Sequence, residues 1–196
     1  MKRDYFIYTI YKKIGCDRVF YFIADTHFGH KNVLKLCNRP FQTIEEMNET
    51  IIQNWNSRVK NSDTVCIIGD LFFCCKEPEP ILKRLHGKKR LIVGNHDSSW
   101  MSKVDYNKYF VSVDNFLQIS DGAHSLTLCH YPMLSFKRFS RSYMIHGHIH
   151  ANTDMDFWSC IKVRDNVLNA GVDLNGFQPV TLEELVENNQ RFKEMH

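Results

Sequence analysis

Residues 19–27 read Val19-Phe20-Tyr21-Phe22-Ile23-Ala24-Asp25-Thr26-His27. Six consecutive apolar or aromatic residues fit a strand buried on both faces, and the chain then passes at once to Asp25 and His27. The same hand-over recurs along the sequence. Val65–Ile68 leads into Gly69-Asp70, Arg90–Val93 into Gly94-Asn95-His96-Asp97, Ser125–Cys129 into His130, and Ser142–Ile145 into His146-Gly147-His148-Ile149-His150. Taken singly, each junction has an ordinary reading as a cap, a turn or a hydrogen-bonded histidine. Five together at five strand ends point to one shared site, because ligands of open α/β sheets bind beyond the carboxyl ends of the strands.

Between these runs the chain carries helical signals, so the fold class is α/β. Thr43 and Glu46 form a capping-box pattern. Ile44, Met47, Ile51, Trp55 and Val59 then recur at spacings of three and four, as on one face of a helix. Pro80–His86 predicts a second helix, stopped by Gly87, and Thr181–Glu184 opens a C-terminal one. Val111–Ile119 and Ser125–Cys129 flank Asp121-Gly122 as a hairpin, and Val167–Ala170 is a late strand. Tyr5–Tyr11 is read as an added edge strand or an oligomer contact.

With 196 residues and neither a repeat nor a Gly/Ser linker, residues 1–196 are expected to form one domain. A net charge of +3 gives no strong basic stripe, so nucleic acid is possible as a partner but not indicated. The seven cysteines contain no C-x-x-C pair, which argues against a disulfide framework and favours a reducing, cytoplasmic setting. Cys66 and Cys129 lie in apolar runs and read as small core residues. The N-terminus makes a poor signal peptide. No apolar run reaches the ~18 residues of a membrane span.

Asp and His with Asn, and no thiolate, suit manganese, iron, zinc or magnesium. Asp25 and His27, like His148 and His150, are two residues apart and can point to one side as the chain leaves its strand. The ordered set Asp25-x-His27, Gly69-Asp70, Gly94-Asn95-His96-Asp97, His130 and Gly147-His148-x-His150 resembles the calcineurin-like metallophosphoesterase superfamily. Asp25-Thr26-His27-Phe28-Gly29-His30 and Cys129-His130-Tyr131-Pro132 look most like its small single-domain bacterial and phage members.

That resemblance implies a four-layer α/β/β/α sandwich with the metal site at the C-terminal ends of the strands. It implies two divalent metal ions, manganese first, with iron, zinc, magnesium or nickel as alternatives. Asp25, His27 and His150 are implied for the first ion, and Asn95, His130 and His148 for the second, with Asp70 bridging the two. His96 is implied as the general acid. His30, Asp97 and His146 are read as a second shell or as structural. The implied reaction is attack on a phosphodiester or phosphomonoester by a hydroxide bridging the ions, while His96 protonates the leaving alkoxide. Two divalent ions outweigh the charges of Asp25 and Asp70, so the site is left positive, as an anionic phosphate requires.

The substrate is expected to be a small, nucleotide-like phosphoester, with diesters favoured slightly. The Asp-Arg-Gly element of the protein phosphatase and diadenosine-polyphosphate hydrolase branches is missing after Asp70, where Leu71-Phe72-Phe73 stands. Lys137, Arg138 and Arg141 are candidates for phosphate contact, or form a solvated loop. Phe72, Phe73, Tyr131 and Phe136 are candidates for stacking a base, or pack internally. The alternatives to an enzyme are a non-catalytic metal-binding scaffold on the same fold and a histidine-rich storage protein.

Overall fold

The computed structural model describes residues 19–196, so Tyr5–Tyr11 lies outside the described residues. In chain order the elements are β1 (Phe20–Ile23), α1 (Val33–Leu36), α2 (Ile44–Arg58), β2 (Thr64–Ile68), α3 (Glu79–Leu82), β3 (Lys88–Ile92) and α4 (Ser98–Met101). Next come β4 (Phe110–Asp114), β5 (Phe116–Ser120), β6 (Ser125–Cys129), β7 (Ser142–His146), α5 (Trp158–Lys162), β8 (Val167–Asn169) and α6 (Leu182–Met195). The first sheet has the order β1-β2-β3-β4 and the second β5-β6-β7-β8. Every pairing is parallel except that of β5 with β6.

The alternation of side chains along a strand sorts the apolar residues into layers. Tyr21, Ile23, Val65, Ile67 and Leu91 face outward from the first sheet. They pack on Met47, Ile51 and Trp55 of α2 and Leu82 of α3. Their neighbours Phe22, Ala24, Cys66, Ile68 and Ile92 face inward, onto Leu126, Leu128, Ile145 and Leu168 of the second sheet. Met144 and Val167 point outward from that sheet, under Ile149 and Ile161. The result is the four-layer α/β/β/α sandwich, and runs such as Phe20–Ile23 are continuously apolar because both faces are covered.

Two caps differ in detail. Thr43 accepts from the Glu46 amide, but the Glu46 carboxylate reaches back to the amide of Gln42 rather than that of Thr43. At α6 the capping box of Thr181 and Glu184 is complete. The second helix is shorter than Pro80–His86 suggests: only Glu79–Leu82 is helical, and the chain turns to reach Gly87 at φ +84°. The stretch Val111–Ile119 is not one strand. It changes sheets at Asn115, giving β4 to the first sheet and β5 to the second, and only β5 joins the Asp121-Gly122 hairpin.

The two sheets are joined beside β1. The amide of Ala24 donates to the carbonyl of Ala170, and that of Val172 to the carbonyl of Ala24. Phe22 and Val180 exchange a reciprocal pair of hydrogen bonds. This brings the C-terminal ends of β1 and β2 against those of β6, β7 and β8. Among the described residues no helix is long and apolar enough to cross a membrane. The six described cysteines are free, with Cys66 in the core and Cys129 half-buried against the outer cluster.

Candidate metal centre

The five junctions converge at one end of the sandwich. Asp25, His27, Asp70, His148 and His150 each adopt a left-handed backbone, with φ of 56°, 51°, 53°, 73° and 50°. Non-glycine residues rarely do so. The i, i+2 pairs are therefore not aimed by strand alternation, as their spacing suggests; sharp corners just past β1 and β7 aim them. The corners are held by the neighbouring chain: the amides of Asp25, His27 and Phe28 donate to the carbonyls of Gly69, Asp70 and Leu71.

Asp70 sits at the centre. Its Oδ1 accepts the backbone N–H of His96 at 2.9 Å. Its Oδ2 lies 3.5 Å from His130 Nε2, 3.7 Å from His27 Nε2 and 4.0 Å from His96 Nε2. Burial works to raise the Asp70 pKa, but His130, the His96 amide and His27 outweigh it and bring the carboxyl down to about 2. Asp25 is fully buried and accepts the His148 amide at 2.9 and 3.1 Å; burial pushes its carboxyl up to about 6.

His130 is tethered by Nδ1, which donates to the carbonyl of Ile68 at 2.9 Å. This leaves its Nε2 3.0 Å from Asn95 Oδ1 and 3.5 Å from Asp70 Oδ2. His148 Nδ1 lies 3.0 Å from the same Asn95 oxygen. Both ring nitrogens of His27 are buried with no hydrogen-bond partner, and burial pulls its pKa down to about 3. Buried ring nitrogens without a partner cost free energy, and a cation beside His27 would relieve that cost. The donor set fits divalent metal. Asp25, His27 and His150 offer ligand atoms within 4.8 Å of one another, and so do Asp25, Asp70 and His130.

The remaining residues separate by role. His96 lies over the site with its side chain 38% exposed and its ring 4.2 Å from that of Phe73. The Asp97 carboxylate makes no hydrogen bond to the His96 ring. It accepts from the amides of Asp70, Leu71 and Gly94 and from Trp100 Nε1, so it holds the backbone that carries Asp70. His30 packs edge-on against Phe73 at 4.4 Å. His146 is fully buried, and its Nδ1 donates to the carbonyl of Gly147.

Two residues that the sequence reading passes over complete the site. Asp173 Oδ2 accepts His150 Nδ1–H at 2.8 Å, and the buried Arg39 grips both Asp173 oxygens at 2.8 and 3.0 Å. Burial opposes protonation of His150, but Asp173, Cys37 and Asp25 outweigh it and push the pKa up to about 10. Asp173 stands beyond the late strand, after Gly171 and Val172, rather than at the strand end as at the other five junctions.

Gly94 shows how tightly the centre is packed: a Cβ there would lie 2.3 Å from Asp70 Oδ1 and 2.6 Å from the Asp70 amide. We expect Gly94→Ala to cost about 1–3 kcal/mol of stability and to weaken metal binding, measured by thermal melting and metal titration. An unchanged melt and affinity would mean that Asp70 can shift freely.

Above the centre lies a cleft of about 780 Å³ whose lining includes His27, His30, His96, His148, His150 and Met155. Of the four candidate stacking aromatics, Phe72 is fully buried against Phe28 and Trp100, and Phe136 packs on Phe139. Phe73 and Tyr131 remain beside the site, Tyr131 half-exposed against His148 at 4.6 Å. Lys137, Arg138 and Arg141 precede β7, whose far end carries the histidines. A five-residue strand, about 16 Å of chain, separates them from the centre, so they read as a solvated loop.

The sequence model of a family described as calcineurin-like phosphoesterase matches residues 18–190. An uncharacterized protein of Methanocaldococcus jannaschii is 35% identical over 173 residues, 87% of this chain and 90% of its own length. The gene 66 protein of Mycobacterium phage L5 is 25% identical over 189 residues, 75% of this chain and 91% of its own. Among solved structures, a protein of unknown function from Aquifex aeolicus superposes with a TM-score of 0.69 at 26% identity, over 87% of this chain and 99% of that one.

Proposed function

The chain belongs to the calcineurin-like phosphoesterase family, and from that premise we propose that it is a binuclear phosphoesterase acting on small, nucleotide-like phosphoesters, diesters ahead of monoesters. The observation that carries this reading is Asp70 Oδ2 ringed by three imidazole nitrogens, one of them on His27, whose ring is buried without a partner. Asp25, His27 and His150 would hold one ion, Asn95, His130 and His148 the other, and Asp70 would be shared. When bound, divalent ions supply Lewis acidity toward phosphoryl oxygens and lower the pKa of the attacking water.

The chain's own residues do the rest. His96 stands at the edge of the cleft, free to hand a proton from its ring to the leaving oxygen. Asp97 and the His96 amide fix Asp70 from behind, so the carboxylate is oriented before any ligand arrives. The cleft has room for a nucleotide-sized group on the scale of small-molecule pockets, with Phe73 and Tyr131 at hand to pack against a base.

The test is a panel of aryl monoesters, aryl diesters and 2′,3′- and 3′,5′-cyclic nucleotides, assayed after chelation and again with Mn²⁺. Activity should vanish on chelation, return with Mn²⁺ and be higher on diesters. Full activity in chelated protein would sink the metal reading. Metal-replete protein inert on every substrate would point to the non-catalytic scaffold.

A further inference from the structure

We propose that Arg39 and Asp173 are a positioning pair dedicated to one of the two metal positions, the one that Asp25, His27 and His150 would build; this rests on the metallophosphoesterase reading above. The Arg39 side chain is fully buried, and its guanidinium is spent on the parts that carry those three residues. Nη2 donates to the carbonyl of Asp25 at 2.7 Å, and Nη1 to that of Thr26 at 2.9 Å. These carbonyls belong to the left-handed corner that aims Asp25 and His27. Nε and Nη2 also grip Asp173, whose Oδ2 takes the Nδ1–H of His150.

One cation therefore ties the Asp25–His27 corner to the His150 ring across more than a hundred residues of sequence. The bond from His150 Nδ1 fixes the tautomer and leaves Nε2 as the nitrogen free to coordinate. A buried ion pair adds little net stability over an apolar pair of the same volume, so packing alone does not call for this one. None of these contacts reaches Asn95, His130 or His148.

The test uses the full chain and Mn²⁺ titrated against a fluorescent chelating indicator. His148→Ala isolates the first position and His27→Ala the second. With His148→Ala, adding Asp173→Asn should weaken the remaining Mn²⁺ site about 10–100-fold, the range for partners of metal-ligating histidines. With His27→Ala, the same change should alter affinity less than about twofold, because neither Asp173 nor Arg39 touches Asn95, His130 or His148. Arg39→Lys keeps the charge but loses the fork; it should reproduce the selective loss, and it stands in if Asp173→Asn fails to fold. Equal weakening in both backgrounds, or none in the first, would overturn the proposal. A wild-type chain that binds no Mn²⁺ would instead overturn the metallophosphoesterase reading, and the pair's role with it.

Discussion

Asp70→Asn is expected to abolish turnover and weaken metal binding while leaving the protein folded. Asparagine is nearly isosteric, and its Oδ1 can still accept the His96 amide that Asp70 accepts at 2.9 Å. The backbone at 70 remains tied to Asp97. What disappears is the one negative charge shared among His27, His96 and His130. Losing several kcal/mol of charge stabilisation corresponds to a rate fall on the order of 10³-fold or more. Elemental analysis should drop from about two ions per chain, the stoichiometry of two-metal sites, to one or fewer, with a cooperative melt retained. A variant that kept both ions and wild-type turnover would remove Asp70 from the centre.

His96→Asn should do the opposite: keep the metal and lose the rate. Among the described residues the His96 ring makes no hydrogen bond, and only its amide is tied to Asp70. The ring is 38% exposed and rests on Phe73, so its removal neither empties the core nor frees a ligand. A general acid contributes about 10²–10⁴-fold. The loss should be greatest for diesters with alkoxide leaving groups and small for nitrophenyl esters, whose departure needs little help. A flat dependence on the leaving group would assign His96 another task, and normal turnover of an alkyl diester would end its candidacy as the acid.

The strands beside the site were legible because parallel strands covered on both faces are near-continuous apolar runs, and because the residues just past them are polar at every junction. That one signal located Asp25, His27, Asp70, Asn95, His96, His130, His148 and His150. The corners were not legible. Spacing two residues apart suggests an extended chain, whereas Asp25 and His27 are left-handed, a choice dictated by hydrogen bonds to residues 69–71. Nor does local pattern reveal that the chain leaves one sheet for the other at Asn115, since Val111-Ser112-Val113-Asp114 before it and Leu117-Gln118-Ile119-Ser120 after it alternate in the same way in sequence. Arg39 carried no signal at all: it sits in a loop, and its partner Asp173 is 134 residues away. The four-residue helices α1 and α4 are too short for a periodicity to show.

The left-handed corners have a consequence for how such a sequence can change. An L-residue in that conformation costs about 1–2 kcal/mol, which glycine does not incur and aspartate incurs in part. Asp25, His27, Asp70, His148 and His150 together therefore rival the roughly 5–15 kcal/mol by which a domain of this kind stays folded. Glycine at these positions would relieve that strain, but each such step would delete a donor atom, and at Asp25 and Asp70 also the acceptor of the His148 or His96 amide. The chemistry and the durability of the fold pull against each other at the same residues, so a more heat-resistant version has to be sought in the helices and outer strands.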